Sequence, residues 1–400
     1  MIAKKREEKS GAKGARDSGG RDLRLDLFRG LANWAIFLDH IPNNVVNWIT
    51  TRNYGFSDAA DIFVFISGYT AAFVYAKAMR HDGFLSASAR ILKRAWQIYL
   101  AHVFLFVIYL AEIAYLAAKT SNPSFVEEFN LLGFLRDPDI VLTEGLILKF
   151  KPVNMDVLPL YIVLMLAFPL ILRALLHRPN LTLLASAVLY VLARWFGWNL
   201  PAFPTGQWYF NPFAWQLLFV FAAWCGIGAV EQLTGLLHSR AVFWLAVAYL
   251  LFALVMTLAG SLPWLHAIIP SAIDHAVNPM DKTNLGLLRF LHFVALALVT
   301  VHFVHRDWPG LEWPVFRPAI LSGQHSLEVF CAGIFLSFAG HFVFVEINNQ
   351  LWMQILVSFA GIALMTALAY LLTWYRRLDK RTAEAAAAAR AKPAASASRS

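Results

Sequence analysis

Charge is scarce in this chain. Only 15% of its 400 residues are Asp, Glu, Lys or Arg, whereas 59% are hydrophobic. Soluble domains carry about 25% charged residues, so this balance excludes an ordinary water-soluble fold and points to a membrane protein. Cysteine is scarcer still. Cys225 and Cys331 each fall inside an apolar run, which excludes a disulfide framework and suits small buried hydrophobes. No HExxH, paired CxxC, GxGxxG or Walker sequence occurs. Metal hydrolysis and nucleotide binding therefore have no sequence support, and no metal is expected. The formal charge of +9 gathers in the tails and short loops, so it is not a nucleic-acid footprint and no nucleic-acid partner is expected. Residues 1–24 are basic and Gly-rich without the apolar centre of a secretory signal, and read as a disordered cytoplasmic tail.

What the chain has is apolar length. Crossing a ~30 Å hydrocarbon layer takes roughly 20 residues. Ten stretches qualify: Asp26–Val46, Ala59–Met79, Ala95–Ala117, Met155–Leu176, Leu181–Trp198, Phe213–Gln232, Ala241–Ser261, Leu287–His305, Ala319–Val345 and Leu351–Tyr375. Lipid cannot satisfy backbone N–H and C=O groups, so an open chain crosses it only as helix. The expected fold class is an all-α polytopic membrane protein of about ten transmembrane helices. Its transmembrane domain covers 25–377, and 378–400 form an Ala-rich cytoplasmic tail. Neither an internal repeat nor paired interrupted helices are visible.

Lys and Arg set the orientation. Lys4, Lys5, Arg6, Lys9 and Lys13 fall inside, and alternation puts Lys77, Arg80, Arg173, Arg240, Arg306 and the closing RRLDKR there too. The loops around Trp208 and Asn348 carry no basic residue. Both termini are thus expected in the cytoplasm, with membrane lipids as partners. Within the long loop 119–154, EGLILKF is too short to span and reads as a re-entrant or interfacial helix. With NLPAFPTGQWYFNPF it would roof a cavity on the far side.

Polar residues interrupt the first two spans. RDLRLDLFRGLANWAIFLDHIPNN sets Asp26, Arg29, Asp39 and His40 in an otherwise apolar helix. An ionisable group inside a bilayer costs roughly 2.5–3.5 kcal/mol, so its retention marks a functional site. Arg29 and His40 lie eleven positions apart, about three turns, and share a face ~16 Å apart. They would touch the two ends of one elongated ligand rather than each other. His40 is the expected general base, with Asp39 and Arg29 completing the catalytic set. The plainer alternative is a histidine bonded to a backbone carbonyl near a helix end. Pro42 favours a break just beyond it. Depth arithmetic brings His40, Ser67 and Glu328 together near mid-membrane.

Arg29 also reads either as an i,i+3 ion pair with Asp26 or as an anion contact. Arg90, Lys93 and Arg94 share one helical face, which suits an ordinary basic flank or a phosphorylated cofactor equally. Expected substrate contacts are Asp26, Asp61, Ser67 and Tyr69 near or in the first two spans, with Lys282, Arg289, His325 and Glu328 later. Ser67 beside Gly68 also has a simple packing role. Arg289 and His292, near Asp281 and Lys282, are placed to hold an acceptor or the free carboxylate of a diacid acyl group. His102, His302 and His341 read as core or interface residues.

LDLFRGLANWAIFLDH resembles the first helix of the acyltransferase 3 superfamily, with an Arg, ten intervening residues and a His. IFVFISGYTAAF, ARILKRAWQIY and GQHSLEVF are similar to its later motifs. DHIPNNVVNWITTRNYGFSDAADIFVFISGY, FKPVNMDVLPLY, PTGQWYFNPFAWQLLFVF and DKTNLGLLRFLHF resemble, more specifically, long blocks of the OpgC family, linked to succinylation of osmoregulated periplasmic glucans. The resemblance implies an enzyme of the bacterial inner membrane. It would take an acyl group from cytoplasmic acyl-CoA, with succinyl-CoA as co-substrate, to a hydroxyl of a periplasmic glucan acceptor. It also implies that His40 is the essential His, Arg29 the paired Arg, and Arg90, Lys93 and Arg94 the region meeting the CoA phosphates. Here the chain departs from the family's Arg-x-x-Arg, since Lys93 follows Arg90 by three. The rival reading is a transporter or exporter of a glucan or acyl precursor, with the buried charges as its path.

Overall fold

The computed structural model describes residues 22–120 and 136–396. The tail expected over 1–24 lies almost wholly outside the described residues, as do positions 121–135 of the long loop and 397–400 of the second tail. Helix α1 is Leu23–Asp39, α2 Ala59–His81, α3 Gly83–Thr120, α4 Pro138–Leu146, α5 Val157–His177 and α6 Pro179–Phe196. There follow α7 Pro212–Gly226, α8 Arg240–Ala259, α9 Leu287–Phe303, α10 Arg317–Gln324, α11 Ser326–Phe342 and α12 Leu351–Ser396. No β-strand occurs among the described residues.

Each of the ten expected stretches contains helix, though not each is one unbroken span. Among the described residues, seven helices are long and apolar enough to cross a membrane. An eighth span is complete if α7 and the following Ala229–Leu237, bent by 86°, are taken together. The first and eighth stretches form helices of 17 residues each.

Two expectations are corrected. The first helix stops at Asp39 rather than Val46, because Pro42 has no N–H to give the Leu38 carbonyl. The Asn44 side chain reaches that carbonyl instead, at 3.5 Å, and Val45–Ile49 form a separate 3-10 helix. The ninth stretch is not one helix but α10 and α11, broken at His325. An interrupted span is therefore present at this point. At the break Gln324, His325 and Ser326 find partners on other helices. His325 Nε2 pairs with Thr373 Oγ1 at 2.9 Å, and Ser326 receives the Asn33 amide.

Helix α1 sits at the centre of the packing. It crosses α10 with almost no separation, so a Cβ on Gly30 would lie 1.8 Å from Ala319 O, and one on Gly323 1.8 Å from Asp26 O. Small residues permit this approach, as helix contacts in lipid require. On its other side α1 runs antiparallel to α2, whose start is fixed by a capping box of Asp58 and Asp61. Helix α12 runs antiparallel to α11, with Met365 on Gly333 and Val357 on Gly340. Asp26 lies near Gln324 and Thr373 meets His325, so the start of α1 and the region around Thr373 share one end of the bundle. That end is called inner below and the opposite end outer, after the expected orientation.

Candidate active site

At the inner half, a cavity of about 130 Å³ opens between α1, α2, α3, α5 and α11. Arg29 and Arg94 both line it, with Ser67, Thr70, Tyr75, Tyr161 and Ser326 supplying hydroxyls. Arg29 Nη2 donates to Thr70 Oγ1 at 2.9 Å and to Ile66 O at 3.2 Å, which holds the guanidinium across to α2. Arg94 is half-buried and donates to Gln97 at 3.4 Å. Two guanidiniums among hydroxyls make a site for an anionic ligand group. The other members of the basic cluster turn elsewhere: Arg90 pairs with Asp82 at 2.8 Å, and Lys93 is exposed.

His40 is the C-cap residue of α1, at its outer end. Its Nδ1 lies 2.5 Å from Ile36 O. A carbonyl only accepts, so Nδ1 carries the proton and the neutral ring keeps its lone pair on Nε2. The bond to a neighbouring carbonyl, the plainer of the two readings, is thus present, and it leaves the ring in the tautomer a base needs. Asp39 does not orient the ring, since its Oδ1 accepts from Thr50 Oγ1 at 2.7 Å. Asn154, at φ 75°, donates to His40 O at 3.4 Å and ties the loop before α5 to this point.

His40, Ser67 and Glu328 do not share one level. Arg29 meets Ile66 and Thr70, so antiparallel pairing puts Ser67 at the height of Arg29, ten to eleven residues, or ~16 Å, below His40. Glu328 is exposed and pairs with Arg376 at 3.5 Å, nearer the inner end. The depth estimate erred because α1 begins at Leu23 and ends at Asp39, which lifts His40 to the outer rim.

The outer end also holds a buried ionic network. Arg289 donates through Nε to Asp61 Oδ1 at 3.1 Å and through Nη1 to Phe56 O at 3.1 Å, and its Nη2 contacts both Asp61 and Asp58. Lys282 Nζ meets Asp58 Oδ2 at 2.6 Å. His292 Nδ1 pairs with Ser57 Oγ at 2.7 Å. Burial works against the Asp58 charge, yet Arg289 and Lys282 hold its carboxyl well below the usual range. Two acids face two bases here: Arg289 holds Asp61 and Asp58, and Lys282 holds Asp58. Nearby, burial pulls the Lys151 ammonium down to about 8 despite Asp156, and Lys151 sits 4.0 Å over the Trp208 ring. Burial likewise pushes the Asp156 carboxyl up to about 6 against the pull of Lys151 and Lys282.

The remaining expected contacts scatter. Asp26 is buried near Gln324 rather than in the cavity wall, and His325 is buried against Thr373. Tyr69 leans on Phe65, and its backbone packs on Gly226. Among the described residues no three His, Cys, Asp or Glu side chains are grouped to hold a metal.

A family model described as OpgC protein matches residues 21–377. The chain belongs to the OpgC family. Comparison with curated proteins and with solved structures gives no match. Membership associates this OpgC-family protein with glucan succinylation and a transferase role, and its apolar helices fit a multi-pass membrane protein. Sequence reasoning missed Thr70, Tyr75, Tyr161 and Ser326, whose hydroxyls only the packing gathers. Asn33 was also missed, although its place one turn above Arg29, on the side of His40, is readable from spacing.

Proposed function

We propose that this protein is an inner-membrane O-acyltransferase of the acyltransferase 3 type, ten spans with both ends cytoplasmic. It moves an acyl group, succinyl by the family's association, from cytoplasmic acyl-CoA to a hydroxyl of a periplasmic glucan. The observation that carries the reading is the alignment on one side of α1. Arg29 opens into an inner cavity shared with Arg94, and about 16 Å above it stands a histidine whose Nδ1 is already occupied. The Arg29–Arg94 cavity binds anionic parts of CoA, and the extended carrier arm runs along α1 to bring the thioester to the outer end.

His40 Nε2 takes the proton of the sugar hydroxyl as its oxygen bonds to the thioester carbonyl carbon. The tetrahedral intermediate then collapses, the C–S bond breaks, and the departing sulfur takes the proton from the imidazolium. No charge is left over, and the histidine returns to its starting tautomer. The test is glucan acylation by His40→Ala in membranes with insertion checked. Acylation should fall by at least a hundredfold, and normal acylation would remove His40 from the chemistry.

The broken span at His325 favours a second reading, since interrupted helices serve transporters. Purified protein in detergent, given acyl-CoA and glucan, separates the two. An enzyme releases free CoA without a sealed compartment, and a transporter does not.

A further inference from the structure

We infer that Asn33 supplies the hydrogen-bond acceptor for an amide N–H in the carrier arm of the donor, and so selects acyl groups carried on an amide-bearing thiol. The inference rests on the acyl-transfer reading above and deepens it. Asn33 follows Arg29 by four residues and precedes His40 by seven, so all three lie on one side of α1. It stands ~6 Å above Arg29 and ~10 Å below His40, on the line the arm would follow.

Asn33 is 1% exposed. Its Nδ2 donates to Ser326 O and to Ser326 Oγ, both at 3.2 Å, at the first residue of α11 beside the cavity. Its Oδ1 is buried and has no hydrogen-bond partner among the described residues. Rotating the amide does not cure this, because the Ser326 carbonyl only accepts and requires the NH₂ group to face it. Buried acceptors left unpaired are rare, and they are least tolerable where no water reaches.

The chemistry of the missing partner is restricted. An amide oxygen accepts and never donates, so phosphate, carboxylate and thioester oxygens are all excluded at this point. A secondary amide N–H fits, and the pantetheine arm carries two between its phosphates and its sulfur. Ser326 lines the cavity whereas Asn33 lies just outside its wall, so the arm reaches Oδ1 by displacing the Ser326 side chain. The helix break at His325 makes this possible, because it starts α11 beside the cavity instead of burying Ser326 in mid-helix.

The experiment uses full-length protein in detergent with the glucan acceptor, succinyl-CoA and two analogues of it, each with one amide N–H of the carrier arm replaced by an ester oxygen. Thiol release gives kcat and KM. With the wild type, one analogue should lose about tenfold in kcat/KM. That loss should vanish in Asn33→Leu and Asn33→Ala, made together so that a packing failure in one leaves the other, and persist in Asn33→Asp, which keeps an acceptor. Equal turnover of all three donors by the wild type overturns the inference alone. So does an equal loss on amide and ester donors in Asn33→Leu and Asn33→Ala. Turnover of none of the three overturns the acyl-transfer reading, and this inference with it.

Discussion

Replacing Gly30 by alanine tests how firmly α1 is locked onto α10. The added Cβ meets Ala319 O at 1.8 Å, Ala319 C at 2.7 Å and Gly323 N at 3.0 Å. Ordinary contact begins at 3.4 Å, so relief requires a movement of about 1.6 Å. All three atoms are backbone, and no rotamer can give way. Overpacking costs about 1–3 kcal/mol, and this site belongs at the upper end. A shift of that size would also carry the 3.2 Å bonds from Asn33 to Ser326 beyond hydrogen-bonding range. Gly30→Ala should therefore lower the melting temperature in detergent by several degrees and cut acyl transfer as well. Gly323→Ala, whose Cβ meets Asp26 O at 1.8 Å, should behave alike. The double variant should lose less than the two single losses together, because the second methyl enters a gap already opened. Gly235→Ala is the control, with nothing within 4 Å of its Cβ. Melting curves from size-exclusion recovery decide the matter. If Gly30→Ala melts with Gly235→Ala, the close crossing is not a feature of the folded protein.

Three further outcomes follow from the site. Arg94→Gln should raise KM for acyl-CoA roughly tenfold or more, since Arg94 lines the cavity, whereas exposed Lys93→Gln should stay within about twofold. Steady-state kinetics showing the reverse order would move the phosphate site to the surface. Asp61→Asn should leave Arg289 buried without its bidentate carboxylate and cost about 3–5 kcal/mol, read as lost membrane yield. Arg289→Met combined with Asp61→Asn should recover part of that yield. Asp156 has its carboxyl raised from 3.8 to about 6, so the fold favours its neutral form. That contribution is complete below about pH 4 and is lost as the pH rises through 6. Asp156→Asn should thus melt above the wild type at pH 8 and equal it at pH 4, and a difference that grows toward acid would refute the assignment.

The helices themselves were legible, because apolar length and the need to satisfy backbone groups in lipid leave little choice. Where spans fail as single rods was less so. Pro42 announced the end of α1, but the break at His325 has no proline or positive-φ glycine to mark it. It depends on Asn33 and Thr373 offering partners from helices remote in sequence. Arg29 and His40 were readable as a pair because both lie on one helix, where spacing fixes direction and height. Residues on different helices were not, as the separation of Ser67 from His40 shows. Depth counting needs each helix's true ends, and an error of a few residues at 1.5 Å each moves a side chain by a whole turn.

Charge pairing marks the deeper limit. Arg289 and Lys282 looked like ligand-binding groups because a cation near an apolar span calls for an explanation. The explanation lies in Asp58 and Asp61, more than two hundred residues earlier, and it consumes both charges. Arg94 is the opposite case. Its sequence neighbours Arg90 and Lys93 are chemically interchangeable with it, yet only Arg94 reaches the wall shared with Arg29. A sequence states which charges exist, whereas the fold decides which of them are spent on the protein itself. The productive question for a buried polar group is therefore what remains unpaired after the fold has formed. Applied to α1, it passes over Asp39, which already holds Thr50, and picks out the indole N–H of Trp34 and the amide oxygen of Asn33, of which the oxygen is on the side of Arg29 and His40.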